Sequence, residues 1–361
     1  MALLRRKKPL IKRAAAPAPA KAEELMHLSK QIGVATIRRE SVRAGFGRGL
    51  VRLAETDDKI VGLSADLAES VGMQPFVEAF PERYIEVGVA EQNLATVASG
   101  VAAMGWRSFA ASYGAFSPGR NWEQIRTTIC LNERPVVLVG SHAGLSVGPD
   151  GATHQVLEDI AMMRSLPGMT VVAPADSIEA EKAVLALGKT KNPAYLRLSR
   201  DSTPVFTTIL TPFTIGKAYV LRSGSDVTIC ATGTMTYRAL MAARQLSRKG
   251  VSVELVHVPT IKPLDIKTIV DSAKKTGRVV TVEDGQVAAG FGGAVAEVLG
   301  EHMPTPLKRL GMQDQFGQSG SSDVLYEAYG LDATGIAQSV LDFVKPESVA
   351  ALKKPKKRRT R

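Results

Sequence analysis

Residues 140–155 contain the side chains best suited to chemistry in this 361-residue chain: His142, Asp150 and His154. Imidazole and carboxylate groups bind hydroxyls and phosphates, and imidazole transfers protons near neutral pH. Four glycines in the same stretch let the backbone turn sharply and come close to a ligand. The alternative is a glycine-rich surface loop whose histidines are incidental, so the elements on either side must decide between the two.

The sequence on both sides of this loop favours a ligand site. Residues 135–139 are a short apolar run, which predicts a buried strand, and residues 156–164 have the apolar spacing of a helix. The loop is therefore expected between the carboxyl end of a strand and a helix. Open α/β sheets bind their ligands at this position.

A second set of candidates precedes the loop. Glu91 stands where a predicted strand passes into a helix of small residues, a position suited to a carboxyl group that exchanges a proton with a ligand. The alternative is a glutamate that only interacts with the dipole at the start of that helix. Tyr113 and Phe116 follow another strand, three residues apart, and are either core aromatics or a stacking platform for a flat ring.

Short apolar runs alternate with helical patterns along the chain, which predicts an α/β fold. The first unit begins with a helical pattern over residues 21–53 and continues with strands at residues 60–63, 84–88, 107–111, 135–139, 169–174 and 194–200. A stretch rich in proline and threonine precedes a second unit, with strands at residues 227–230, 253–256 and 279–282 and helices at 235–248 and 265–275. Because strands separated by helices pair in parallel, we predict two doubly wound domains with mainly parallel sheets.

The formal net charge of +11 belongs to the two ends of the sequence. Residues 1–24 carry +5 and residues 353–361 carry +7, which leaves about −1 for the rest. Neither end has a pattern that forms a core, so we expect solvated basic tails and no nucleic-acid partner. RNA or an acidic protein bound weakly by the tails is the alternative.

Composition also bears on the compartment of the protein. No run approaches the roughly 18 to 20 apolar residues that cross a bilayer, so no membrane association is expected. Cys130 and Cys230 lie in separate apolar runs and are expected to be buried free thiols. A reducing compartment, and hence a cytoplasmic location, follows from this interpretation.

Taken in chain order, the candidates resemble the C-terminal half of transketolase. The resemblance rests on Glu91 within the string Val-Gly-Val-Ala-Glu-Gln-Asn, on the pair Tyr113 and Phe116, and on the loop with its two histidines. Further matches are residues 36–39, 62–67, 198–200, 261–265 and 315–320. The resemblance implies these divisions: basic tails at residues 1–30 and 347–361, a pyrimidine-binding domain at 31–202, a linker at 203–214 and a transketolase C-terminal domain at 215–346.

The resemblance implies thiamine diphosphate as the cofactor. Glu91 matches the catalytic glutamate that hydrogen-bonds a ring nitrogen of the aminopyrimidine. Tyr113 and Phe116 match aromatic residues that line this ring or stack on it, and which of the two stacks is left open.

The resemblance also implies a site for a sugar phosphate. A phosphate is held by cations and by hydroxyl or imidazole donors, and the matching residues are Arg38, Ser64, His142 and Arg200. Asp150 and His154 match the pair that recognises substrate hydroxyls beside the reacting carbon. His154 is also assigned a catalytic role.

No metal ligands are assigned to this chain. The family holds Mg²⁺ and the diphosphate through a Gly-Asp-Gly string followed by asparagines, and the nearest strings here, residues 149–151 and 283–285, are not followed in that way. The resemblance therefore implies an N-terminal transketolase subunit that binds Mg²⁺ and the diphosphate, in a dimer of heterodimers. The reaction would move a two-carbon ketol unit between sugar phosphates.

Two other functions remain open. A non-catalytic or regulatory paralogue would bind a partner without turning over substrate, but it would not need Glu91, His142, Asp150 and His154. An enzyme similar to deoxyxylulose phosphate synthase would share the architecture, although the string Leu-Ser-Arg at residues 198–200 looks more like transketolase.

Overall fold

The computed structural model describes residues 26–344, so most of the predicted tail at 1–30 and all of the tail at 347–361 lie outside the described residues. The strands in this part are β1 (Arg39–Ser41), β2 (Ile60–Ser64), β3 (Tyr84–Glu86), β4 (Arg107–Tyr113), β5 (Val136–Ser141), β6 (Thr170–Val172), β7 (Ala194–Arg197), β8 (Ser202–Pro204), β9 (Tyr219–Arg222), β10 (Val227–Ala231), β11 (Val253–His257), β12 (Thr260–Lys262), β13 (Val279–Gln286) and β14 (Leu307–Met312).

The α-helices are α1 (Val42–Thr56), α2 (Gln74–Ala79), α3 (Glu91–Ala103), α4 (Trp122–Gln124), α5 (Asp159–Arg164), α6 (Ser177–Leu187), α7 (Met235–Arg248), α8 (Ile266–Thr276), α9 (Phe291–His302), α10 (Ser322–Ala328) and α11 (Ala333–Val344). Helix α4 continues into a π-helix at Ile125–Cys130, and Pro81–Arg83 and Gly144–Asp150 form 3₁₀-helices. None of the helices between Met26 and Val344 is long and apolar enough to cross a bilayer.

A seven-stranded sheet forms the centre of the first unit. Its strands lie in the order β12-β6-β7-β5-β4-β2-β3. All neighbours pair in parallel except β12, which runs antiparallel to β6. Strands β2 and β5 are buried along their whole length, as expected of a parallel sheet covered on both faces. Strand β12 follows the linker in sequence, so the second unit supplies one edge of the first sheet.

The second unit contains a five-stranded sheet in the order β14-β13-β10-β11-β9. Only β9 is antiparallel to its neighbour. The predicted fold class, two mainly parallel α/β sheets with helices between the strands, is confirmed. The edge strands β9 and β14 were not predicted, and β8 pairs with β1 in a separate two-stranded sheet.

The first predicted helix is wrong in its extent. The sequence pattern gave a helix over residues 21–53, but residues 26–38 form turns and residues 39–41 form strand β1. Helix α1 begins only at Val42, after Ser41, whose hydroxyl accepts the N–H of Ala44 at 3.3 Å and so caps the helix. Ile37 is buried, as its spacing suggested, but by turns rather than by a helical face.

Helices α1 and α6 pack in close contact. A Cβ at Gly45 would lie 1.9 Å from the carbonyl oxygen of Ser177, and a Cβ at Gly49 would lie 2.9 Å from the Cβ of Val184. Larger residues would separate the helices, so glycine is required for this approach. The packing also fixes the first turn of α1, which contains Arg43.

The two cysteines are buried free thiols, as predicted. Burial raises the pKa of Cys130 to about 11 and the pKa of Cys230 to about 12. Both therefore remain protonated near neutral pH, and neither has the thiolate character of a reactive cysteine.

Candidate functional site

Three predicted site residues lie at the carboxyl ends of neighbouring strands in the seven-stranded sheet. Ser64 ends β2, Tyr113 ends β4 and His142 directly follows β5. The carboxyl ends of parallel strands share one edge of the sheet, which is where ligands bind in such folds. The topology therefore brings residues from three separate stretches of sequence to one place.

Aromatic and imidazole rings pack together at this edge. The rings of Tyr113 and His142 stack with their centroids 3.8 Å apart and their planes 28° apart. The ring centroid of Phe116 lies 6.3 Å from that of Tyr113 and 5.4 Å from that of His154, and the contact with His154 is edge-on. We call these four residues (Tyr113, Phe116, His142 and His154) the ring cluster. All four were predicted from the sequence, and the structure brings them into contact.

Glu91 is the first residue of α3 and is almost fully buried, with 2% of its surface exposed. Its backbone carbonyl accepts a hydrogen bond from Asn121 Nδ2 at 2.8 Å. Its Oε2 accepts one from Arg120 Nη1 at 3.3 Å. The Glu91 carboxylate is therefore more deeply buried than expected for a residue at the start of a helix. The guanidinium of Arg120 compensates its negative charge.

Arg120 connects Glu91 to the ring cluster. Its guanidinium carbon lies 5.5 Å from the centre of the Phe116 ring, while its side chain is 57% exposed. Asn121, next to it, is fully buried, and its Oδ1 has no hydrogen-bond partner within residues 26–344. Neither residue was predicted, because a single arginine and asparagine after an aromatic pair give no pattern of their own.

His142 is held in an uncommon conformation. Its φ of 55° lies in the left-handed region, and its Nδ1 shares a hydrogen bond of 2.9 Å with Ser141 Oγ. Burial, together with the nearby charges of Arg43, Arg200 and His154, lowers the pKa of His142 to about 3. Near neutral pH its imidazole is therefore uncharged, so it can offer a ligand a hydrogen bond but no positive charge.

Asp150 and His154 lie on the segment that follows. The 3₁₀-helix Gly144–Asp150 leads the chain away from the sheet, and Asp150 is exposed at its end. His154 is half-buried, and its Nδ1 shares a hydrogen bond of 2.9 Å with Thr153 Oγ1. This contact fixes the ring and leaves Nε2 as the nitrogen that can meet a substrate.

Two of the predicted phosphate ligands are engaged with the backbone. The hydroxyl of Ser64, fully buried, accepts the N–H of Leu67 at 3.3 Å. Arg200 Nη1 donates to the carbonyl of Val147 at 2.9 Å, and its N–H donates to Ser146 Oγ at 2.8 Å. Arg200 thus lies against the loop between the two histidines, while a substrate contact for Ser64 stays a prediction.

The position of Arg38 does not favour its predicted role as a phosphate ligand. Its side chain is 58% exposed and pairs with Glu40 at 3.0 Å. Arg48 also binds Glu40, at 2.8 Å. Burial alone would raise the pKa of Glu40, but the hydrogen bond and the charge of Arg48 outweigh burial and lower this pKa to about 2. These contacts place Arg38 in a surface ion-pair network.

Arg43, which was not predicted, lies beside Arg200 and near His142. Its Nη2 donates to the carbonyl of Arg200 at 2.8 Å, and Nη1 donates to the carbonyl of Ser70. Its buried Nε has no hydrogen-bond partner in the described part of the chain. Its charge also contributes to the lowered pKa of His142. A half-buried, incompletely paired guanidinium beside Arg200 is a stronger candidate for binding an anion than the exposed Arg38.

Comparison with family models identifies both units. The model of the transketolase pyrimidine-binding domain matches residues 39–205, and the model of the transketolase C-terminal domain matches residues 216–336. Together the two models account for most of the part of the chain that the structure describes.

Individual proteins agree with the family models. A 6-deoxy-6-sulfo-D-fructose transketolase subunit from Clostridium sp. strain MSTE9 is 42% identical over 290 residues, which cover 80% of this chain and 90% of the relative. A 1-deoxy-D-xylulose-5-phosphate synthase from Gloeobacter violaceus is 39% identical over 311 residues, which cover 85% of this chain and 48% of the synthase. A solved split-gene transketolase, described as an inactive β4 tetramer, is 40% identical with a TM-score of 0.79, and the match covers 84% of this chain and 98% of that one. The resemblance found in the sequence is therefore confirmed, and the chain belongs to the transketolase family, of which it contains the pyrimidine-binding and C-terminal domains.

Proposed function

We propose that this chain is the C-terminal subunit of a two-chain transketolase and forms the pyrimidine side of a thiamine diphosphate site. The observation that carries the proposal is the buried carboxylate of Glu91, joined through Arg120 to the ring cluster. A carboxyl group beside flat rings suits a heteroaromatic ligand that is stacked and hydrogen-bonded at once. The aminopyrimidine of thiamine diphosphate, the cofactor of this family, is such a ligand.

Each residue near the cofactor has a separate task. When bound, thiamine diphosphate supplies the nucleophilic carbon that accepts the two-carbon unit. Glu91 holds a proton at the ring nitrogen of the pyrimidine, which is the position from which acid–base catalysis is possible. Tyr113 already stacks on His142 with ring centroids 3.8 Å apart, whereas Phe116 lies farther from its neighbours, 6.3 Å from Tyr113 and 5.4 Å edge-on from His154. We therefore assign the stacking on the pyrimidine to Phe116 and the lining of the pocket to Tyr113.

The substrate we propose is a sugar phosphate. Arg43 and Arg200 would bind the phosphate, and the uncharged imidazole of His142 would add a hydrogen bond. Asp150 and His154 would bind hydroxyls beside the reacting carbon. The chemistry is the transfer of a two-carbon ketol unit from a ketose phosphate to an aldose phosphate.

The proposed partner is an N-terminal transketolase subunit that binds the diphosphate and Mg²⁺, with two copies of each chain in the assembly. Residues 26–344 contain no group of three or more His, Cys, Asp or Glu side chains placed to hold a metal ion. The solved relative described as an inactive β4 tetramer supports the idea that this type of chain needs a second one. We propose the cytoplasm as its location.

A second candidate function is that of a deoxyxylulose phosphate synthase-like enzyme, which the 39% identity to the synthase of Gloeobacter violaceus favours. Such an enzyme would consume pyruvate and release CO₂, whereas ketol transfer releases none. A non-catalytic paralogue would do neither. Measurement of CO₂ release and of aldose formation in the same reaction separates the three.

The first experiment compares the chain alone with the chain co-expressed with an N-terminal transketolase subunit from the same genome. Both preparations receive thiamine diphosphate, Mg²⁺, a ketose phosphate and an aldose phosphate, with pyruvate added in a parallel reaction. We expect ketol transfer only from the co-expressed pair. Transfer by the chain alone would contradict the two-chain proposal, and CO₂ release from pyruvate would favour the synthase.

The second experiment tests Glu91 in the co-expressed pair. Glu91→Gln keeps the size of the side chain but removes the acid, so exchange of the C2 proton of thiamine diphosphate for deuterium should slow by at least about 100-fold. Glu69→Gln, at an exposed position, is the matched control. Quenched-flow NMR measures the exchange. Unchanged exchange in Glu91→Gln would show that Glu91 is only a helix-start residue and would favour the non-catalytic paralogue.

A further inference from the structure

The second unit holds the histidine loop (residues 142–157) at several points. The hydrogen bonds run from the N–H of Gln286 to the carbonyl of Leu157 (2.7 Å), from Gln155 Nε2 to the carbonyl of Gln318 (3.0 Å) and from Ser322 Oγ to the carbonyl of Ser146 (3.3 Å). The loop that carries both histidines is thus covered by a unit that contributes no residue to the ring cluster. This raises the question of which contact sets the position of the loop.

A buried carboxylate of the second unit lies at the centre of this contact. Asp284, near the end of β13, is 3% exposed. Its Oδ1 accepts a hydrogen bond from Arg197 Nη1 at 2.7 Å, and its Oδ2 accepts one from the hydroxyl of Tyr326 at 3.1 Å. Asp284 therefore joins strand β7 of the first unit to helix α10 of the second.

Arg197 extends the network to the far end of the histidine loop. It is buried, and its Nε donates to Asp159 Oδ2 at 2.8 Å. The hydroxyl of Tyr195 donates to the same oxygen at 2.8 Å. Burial alone would lower the pKa of Arg197, but the two carboxylates raise it above its ordinary value. Asp159 begins helix α5, two residues after the loop, so the network fixes the point at which the loop ends.

Gly144 connects the network to the start of the loop. Its φ is 72°, and a Cβ at this position would lie 2.1 Å from Asp284 Oδ2, so the backbone runs directly against the carboxylate. The N–H of Gly144 donates to the carbonyl of Val156 at 2.9 Å and closes the base of the loop. A shift of Asp284 would therefore change the room available to the backbone two residues after His142.

From these contacts we infer that Asp284 is a positioning residue for the histidine loop. Through Gly144 and Arg197 it fixes both ends of the loop and thereby the places of His142 and His154, although it contacts neither histidine. This inference rests on the proposed function, because it assigns substrate binding to the loop. It gives the second unit a defined part in catalysis: it sets the substrate-binding loop and leaves cofactor activation to Glu91.

The test uses Asp284→Asn in the co-expressed two-chain complex. The variant keeps the volume of the side chain but removes the charge that holds Arg197. Displacement of the loop should lower kcat/KM for ketol transfer by about 10- to 100-fold, in line with the effect of a misplacement of about 1 Å. The rate of C2 proton exchange, which needs Glu91 but no sugar, should stay within about 2-fold of the wild type.

Asp265→Asn is the matched control. Asp265 is also a carboxylate of the second unit that accepts backbone hydrogen bonds, from Thr268 at 3.1 Å and Ala218 at 3.1 Å, but it caps helix α8 instead of contacting the loop. We expect its kcat/KM to match the wild type. Unchanged transfer in Asp284→Asn, or an equal fall in transfer and in C2 exchange, would overturn the inference, since the second result would mean a general loss of structure.

A further readout does not depend on activity. Loss of a hydrogen bond to a charged group should speed amide exchange of residues 143–156 in Asp284→Asn by about 10- to 100-fold, measured by mass spectrometry. If Asp284→Asn does not fold, Tyr326→Phe removes one donor to Asp284 and should show the same pattern more weakly. If the wild-type complex transfers no ketol unit, the proposed function fails. Amide exchange then remains the test of whether Asp284 positions the histidine loop. Unchanged exchange in both variants contradicts the positioning role.

Discussion

The uncharged state of His142 leads to a testable pH dependence of stability. Burial and the neighbouring cations lower the pKa of its imidazole from 6.5 to about 3 in the folded chain. The unfolded chain has the ordinary pKa, so between these values it binds a proton that the folded chain does not. The contribution of His142 to stability is therefore intact above about pH 6.5 and is lost progressively as the pH falls towards 3.

The size of the effect follows from the two pKa values. Each pH unit below the unfolded pKa costs about 1.4 kcal/mol of stability, so a fall from neutral pH to pH 5 should cost about 2 kcal/mol. For a unit of this size, 1 kcal/mol corresponds to about 2–4 °C in Tm. The wild type should therefore lose about 4–8 °C more than His142→Gln when the pH is lowered from 8 to 5.

The assay is differential scanning calorimetry of the purified chain at pH 8, 6.5 and 5. Comparison of the change in Tm within each protein removes the constant cost of the substitution itself. His302→Gln, which removes an imidazole that is 46% exposed, is the control and should behave like the wild type. An equal loss of Tm in the wild type and His142→Gln would refute the reasoning, because the buried imidazole would then not be the group that resists protonation.

Three further predictions concern other residues. Arg43→Ala should raise KM for a sugar phosphate by about 10- to 100-fold through loss of a charge-assisted contact, with little effect on an unphosphorylated sugar, whereas Arg38→Ala should change steady-state kinetics less than about 3-fold. Asp150→Ala and His154→Ala should each lower kcat/KM by about 10- to 100-fold and leave cofactor affinity, measured by calorimetric titration, nearly unchanged. Asp176→Ala should reduce the free energy of unfolding by about 3 kcal/mol or more in a denaturant titration, because it leaves the N–H groups of Ile178 and Phe206 without the buried carboxylate that accepts their hydrogen bonds.

Local patterns in the sequence were sufficient for most of the elements that carry the site. The apolar run before the histidine loop became strand β5, and the small-residue pattern after Glu91 became helix α3. The order of strands and helices was enough to place the carboxyl ends of β2, β4 and β5 at one edge of the sheet. This holds for any parallel sheet, whichever side chains its strands carry. The grouping of the ring cluster follows from that edge.

Contacts between distant residues could not be predicted in the same way. The local sequence gives no reason to prefer Arg43 to Arg38. Only the carbonyls of Ser70 and Arg200, which come from other parts of the fold, hold the guanidinium of Arg43 beside Arg200. Strand β1 forms because it meets β8 about 160 residues later, and this pairing overrides the helical spacing of its neighbourhood. Arg120 was missed for the same reason, since its partner Glu91 precedes it in a different element.

Strand β12 has a consequence for any attempt to divide the protein. It covers the edge of β6, so a fragment that stops at the end of the linker would expose the unpaired N–H and C=O groups of that strand. Open edges of this kind recruit other chains and promote aggregation. The two units are therefore unsuited to separate expression, although each has a sheet of its own, and a fragment intended for recombination with another protein should extend beyond Lys262.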